Sequence, residues 1–144
     1  MTSRAGFTLV ELTIVVALMA TIAILGIPFG VETYRDYALI STTRDMVSVL
    51  RRASSLALAN TDSSPYGASF RVDRAVLFKG GSYITREAAF DEEHFVSPSV
   101  TVSAPSDVVF APLSGNAESV LTVTVTNGFR SQGIDINLHG VVAW

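Results

Sequence analysis

Glu11 is the one charged residue between Arg4 and Glu32, near the start of an otherwise almost wholly apolar run, GFTLVELTIVVALMATIAILGIPFG. A lone carboxylate at the centre of a bilayer-length helix costs about 2.5–3.5 kcal/mol, so Glu11 calls for a compensating cation or for water. Other residues able to do chemistry are sparse. There are two histidines and no cysteine, so neither thiol chemistry nor a redox compartment can be read from the chain. No G-x-S-x-G, P-loop or H-E-x-x-H occurs; no catalytic residue and no cofactor is expected. Asp91-Glu92-Glu93-His94 offers oxygen and nitrogen donors, with calcium the one cation to consider. Adjacent acids on a loop more commonly form a solvated surface, and no metal is expected.

Arg44, Arg51 and Arg52 have the chemistry to touch phosphate. On a chain of net charge −3 and pI near 5.2 they read as a solvated helix face, and no nucleic-acid partner is expected. His139 beside Gly140 reads as a turn residue. Phe70, Phe78, Tyr83, Phe110 and Trp144 lie in strand-like contexts and read as core, not as a base-stacking platform.

The elements that carry these residues follow from periodicity. Phe7 to Gly30 is 24 residues, about 36 Å as a helix, against a hydrocarbon core of about 30 Å. A cleavable signal peptide fits less well, because the run is too long and Ile27-Pro28-Phe29 stands where a small-residue cleavage site belongs. Arg4 weakly favours a cytoplasmic N-terminus, though Arg35 lies just beyond the other end. Past Gly30, Tyr34, Ala38, Leu39, Met46, Leu50, Ala53 and Ala57 recur mostly at spacings of three or four, the mark of an amphipathic helix. Gly26 and Gly30 form a GxxxG packing motif. With Pro28 inside it, the trio Gly26, Pro28 and Gly30 reads as a helix joint. A helix from Phe7 to about Ala59 is 53 residues and about 80 Å long.

Asn60–Gly67, NTDSSPYG, breaks the helix. Strand-like segments follow at 68–72, 75–78, 83–85, 100–103, 108–110, 120–126, 134–138 and 141–144. Asp73-Arg74, Gly80-Gly81, Asn127-Gly128 and His139-Gly140 mark turns between them. The expected fold is α+β: a long N-terminal α-helix, membrane-spanning in its first half and amphipathic in its second, packed on an antiparallel β-sheet head. The expected divisions are 1–6, 7–30, 31–60 and 61–144.

Gly6-Phe7-Thr8-Leu9-Val10-Glu11, followed by an apolar helix interrupted at Pro28, resembles the processing signal of type IV pilins and type II secretion pseudopilins. The resemblance implies a leader of residues 1–6, cleavage between Gly6 and Phe7 by a prepilin peptidase, and N-methylation of Phe7 by the same enzyme. Glu11 then becomes the assembly residue that pairs with a neighbouring subunit's terminal amine. Implied partners are the peptidase, other pilins or pseudopilins, an inner-membrane assembly platform and the membrane itself. The implied location is single-pass in the bacterial inner membrane, with the N-terminus cytoplasmic and the head outside, and afterwards in a filament. Looser likenesses around Arg52–Ala57, Val109–Pro112 and Ile136–Gly140 point to the minor pseudopilin branch called GspH/FimT. The absence of cysteine departs from pilins that close a C-terminal loop with a disulfide.

Two function classes follow. One is a structural filament subunit, in the minor branch a tip or priming component. The other is a membrane-tethered exported binding module, including a DNA-uptake pilin, or an enzyme. The Gly6-Phe7/Glu11 constellation separates them, because an anchor alone does not need it.

Overall fold

The computed structural model describes residues 6–144, apart from the side chains of residues 25–31. Helix α1 is bounded by Leu9 and Leu58. Its described portions are residues 9–24, about 16 in all, and 32–58, about 27. The chain divides into two compact units, one up to Tyr34 and one from Arg35 to Trp144.

The expectation of a membrane-spanning first half is overturned, and with it the single-pass inner-membrane location. The described first portion, about 16 residues, rises about 24 Å, short of the roughly 30 Å needed. The later portion carries Glu32, Arg35, Asp36, Arg44, Asp45, Arg51 and Arg52. Among the described residues no helix is long and apolar enough to cross a membrane. The length argument from sequence had counted residues 25–30 into the span. The joint expected at Gly26, Pro28 and Gly30 likewise lies outside the described residues.

In the second unit the amphipathic pattern has its expected consequence. Leu39, Met46, Leu50, Ala53 and Ala57 are buried, as are Val47 and Val49 between them. Thr43 is also fully buried, and its Oγ1 donates to Leu39 O at 2.8 Å, which satisfies the hydroxyl within the helix. The helix closes at a left-handed Asn60 (φ 50°). The carbonyl of Ala57 accepts from the backbone N–H groups of Asn60, at 3.0 Å, and Leu113, at 2.9 Å, so a distant loop satisfies the helix end.

The sheet part is two antiparallel four-stranded sheets, not the single sheet expected. The first contains β1 (Tyr66–Phe70), β2 (Arg74–Lys79), β3 (Glu92–Phe95) and β5 (Val108–Phe110), in the order β3-β2-β1-β5. The second contains β4 (Thr101–Ser103), β6 (Leu121–Thr126), β7 (Ser131–Ile136) and β8 (Val142–Ala143), in the order β4-β6-β7-β8. One apolar cluster joins the helix face to both sheets, through Leu77 and Phe110 of the first and Val123, Val125, Ile134 and Ile136 of the second. Residues 83–85 form no strand; Tyr83 instead packs edge-on against Phe78, with ring centroids 5.9 Å apart. Strand β3 escaped notice because EEHF has no run of β-branched residues. It pairs with β2 on one side only, and a charged edge of this kind resists pairing with other chains.

Register depends on one close approach. Gly67 lies opposite Phe78 in the β1–β2 ladder. A Cβ on Gly67 would sit 2.6 Å from the Phe78 ring and 2.6 Å from the Val108 carbonyl. The missing side chain is the space into which the fully buried Phe78 ring packs.

Candidate assembly surface

The start of α1 is built by Thr8. The helix begins at Leu9, and Leu12 N donates to Thr8 O at 3.2 Å as its first backbone bond. Thr8 Oγ1 accepts from Glu11 N at 3.2 Å, so the hydroxyl satisfies a donor that the first turn leaves free. Thr8-x-x-Glu11 is thus a capping-box pattern. Thr8 is part of the Gly6–Glu11 motif, but a capping role for it was not expected, although the T-x-x-E spacing encodes one.

This places Glu11 in the first turn of the helix, where backbone N–H dipoles favour a negative charge by about 0.3–1 kcal/mol. The carboxylate therefore sits at a helix start and not at the centre of an apolar run. Among the described residues no cation lies within ion-pair distance of it.

Every residue from Gly6 to Ile24 is exposed. Phe7 is 83% exposed and Leu9 80%, and Val10, Leu12, Ile14, Val16, Leu18, Met19, Ile22 and Ile24 each keep more than half their surface. Within the helix, Thr13 and Thr21 turn their hydroxyls back onto the backbone, to Val10 O and Ala17 O, both at 2.8 Å. Their polarity is thereby absorbed. What faces outward is an apolar surface with one carboxylate near its start. A contiguous exposed surface of this kind marks an interaction site. Burying one such side chain fully contributes about 1.5–3 kcal/mol, so covering about half of them would offset an association cost of about 4–15 kcal/mol.

Gly6 and Phe7, the expected cleavage pair, lie before the helix, and both are exposed. A Cβ at Gly6 would meet nothing within 4 Å, so this fold does not require glycine there.

The remaining sequence candidates are dispersed. Asp91, Glu92 and Glu93 go to three different arginines: Arg86 at 2.8 Å, Arg52 at 2.7 Å and Arg74 at 3.0 Å. Glu92 and Glu93 lie on β3 rather than on the loop expected, and their pairs link that sheet edge to α1 and β2. Among the described residues no cluster of three potential ligands forms. His139 sits in a turn, with its N–H donating to Asn137 Oδ1 at 3.0 Å. Arg52 belongs to Glu92, whereas Arg44 stacks over the Trp144 ring at 6.0 Å and Arg51 reaches Val142 O at 3.4 Å. Trp144, read as core, is 52% exposed, since β8 is an edge strand and its last side chains have no sheet beyond them.

A cluster that sequence did not suggest surrounds the buried Lys79, whose partners are themselves exposed. Its ammonium group lies 3.3 Å from both Asp62 and Glu87 and 4.3 Å from the Phe90 ring centroid. Burial alone would lower the Lys79 pKa, but the hydrogen bonds and charges of the two carboxylates outweigh it and raise the value. An ammonium held charged in this way is an ion-pair anchor rather than a nucleophile. No family model, curated protein or solved structure matches this chain.

Proposed function

We propose that the chain is a structural subunit of a filament of the type IV pilus or type II pseudopilus kind, assembled through the apolar first portion of α1. The observation that carries this reading is the unbroken exposure of Gly6–Ile24 around a single carboxylate, directly behind the Gly6-Phe7 pair. Cleavage there frees an amine on Phe7, and N-methylation leaves it cationic. Paired at 4 Å with the Glu11 carboxylate of a neighbouring subunit, that amine gains about 4 kcal/mol at an effective dielectric of 20, enough to select one packing register. The looser likenesses of the head favour a minor, tip or priming role. Partners on this reading are a prepilin peptidase, an assembly platform and other subunits of the filament.

Intact-mass measurement after co-expression with a prepilin peptidase tests the reading. The expected product begins at N-methyl-Phe7; a chain that keeps Met1, or is cut elsewhere, overturns it. Gly6→Val should remain uncut while folding normally, because the fold leaves room for a side chain there. Glu11→Gln should be cut and methylated but enter filaments at least tenfold less, and normal incorporation would refute the charge pairing.

A further inference from the structure

Arg44, Val47, Ser48 and Arg51 are spaced i, i+3, i+4 and i+7, so they share one face of α1. Together with Trp144 they line an open groove of about 320 Å³. The chain has ten Lys and Arg residues, and among those described Arg52, Arg74, Lys79, Arg86 and Arg130 each have a carboxylate within 4 Å. Arg44 and Arg51 have none, nor have Arg35 and Arg71, which lie over the Phe129 and Tyr83 rings away from the groove. Arg44 is held only over the Trp144 ring, and Arg51 makes one long bond, to Val142 O at 3.4 Å, near the limit of a useful hydrogen bond. The apolar surface the groove offers is mainly the Trp144 ring, 52% exposed, with Val47 buried beneath. Strand β8, beside the groove, pairs with β7, and among the described residues its other edge has no partner strand.

We infer that this groove is a docking site for an extended acidic segment of a partner protein, with carboxylates four residues apart and an apolar side chain midway. Seven helical residues place Arg44 and Arg51 about 10 Å apart along the axis. Residues i and i+4 of an extended segment lie on the same face about 13 Å apart, a difference that long arginine side chains absorb. The residue between them on that face then rests mainly on the half-exposed Trp144 ring. An incoming backbone N–H can take over the Val142 carbonyl and release Arg51 for bidentate carboxylate binding. Two guanidiniums match the two carboxylates of a short acidic segment, whereas a polyphosphate backbone draws its affinity from many cations. This inference does not depend on the filament reading.

Trp144 is the one tryptophan in the chain, so its fluorescence reports directly on the groove. The full-length chain is titrated with Ac-Glu-Ala-Leu-Ala-Glu-NH2, with its Gln-for-Glu isostere, with inorganic phosphate and with an oligothymidylate. A saturable fluorescence change is expected for the acidic peptide alone. It should weaken at least tenfold in Arg44→Gln and in Arg51→Gln, by a smaller factor in Arg51→Lys, which keeps the charge but loses the bidentate fork, and be unmoved in Arg71→Gln, an arginine outside the groove. Circular dichroism shows whether each variant is folded, and Arg44→Gln removes no backbone bond. No saturable change, equal binding of the isostere, or indifference to both Gln variants would overturn the proposal. Equal or tighter binding of phosphate or oligothymidylate would also overturn it, reassigning the groove to phosphate.

Discussion

At the residue scale, two positions show a local choice answering to distant neighbours. Gly67 is glycine because the Phe78 ring and the Val108 carbonyl occupy the place of its side chain. Gly67→Ala should destabilise the second unit by about 1–3 kcal/mol, the usual cost of overpacking. Gly67→Ala combined with Phe78→Leu should recover part of that loss, and urea unfolding of the single and double variants measures the coupling. The second position is the pair Tyr66 and Lys79. Burial, followed by the charge of Asp62, raises the Tyr66 pKa above its ordinary 10.0. Lys79 is raised above 10.5 by its two carboxylates, against the effect of burial. The fold therefore binds both protons more tightly than the unfolded chain does, so this stability is fully present below about pH 10 and lost as pH rises through the folded values. Melting temperature should hold from about pH 7 to 9 and fall above about 10. The fall should be shallower in Tyr66→Phe; an unchanged slope would show that the tyrosine contributes nothing.

At the element scale, α1 joins two different kinds of surface. Its first portion owes its start to one hydroxyl. Thr8→Ala should cost about 1 kcal/mol of helix stability and Thr8→Ser almost none, read as loss of far-ultraviolet helical signal or as faster amide exchange at 9–12. Its later portion is a core element. Leu50 is fully buried, and Leu50→Ala should cost about 2–5 kcal/mol in thermal or urea unfolding. The apolar periodicity of 39–57 was legible because burial selects residue type every three or four positions. Strand β3 was not, because edge pairing and ion pairs to Arg52 and Arg74 hold it, and neither leaves an apolar pattern. The Asn127-Gly128 turn was legible as a turn, with Asn127 Oδ1 accepting from Phe129 N at 3.0 Å and Arg130 N at 2.8 Å. Its second task was not visible: Asn127 Nδ2 also donates to Arg35 O at 3.3 Å, tying the hairpin to α1.

At the scale of the whole molecule, the unit boundary falls at Tyr34–Arg35, so residues 35–58 belong with the sheets they pack on and not with the apolar stretch before them. A chain beginning at Arg35 should retain the unfolding free energy of the second unit within about 1 kcal/mol, since among the described residues no buried core residue precedes Leu39. It should also lose self-association in sedimentation, because the exposed apolar surface of 7–24 is removed. A destabilised or still-associating truncated chain would count against this division.

The sequence by itself determined the α+β class, the amphipathic helix, most strands, the turns, and the isolation of Glu11 within an apolar run. These are properties of residue type and near-neighbour spacing. Only the tertiary structure decided that the described helix portions fall short of a membrane span, that the sheet is split in two, and that the acids at 91–93 are taken up by separate arginines. It alone also brought Trp144 beside Arg44 and Arg51 in one groove. Each of these depends on which distant groups meet, and periodicity within one segment carries no record of that.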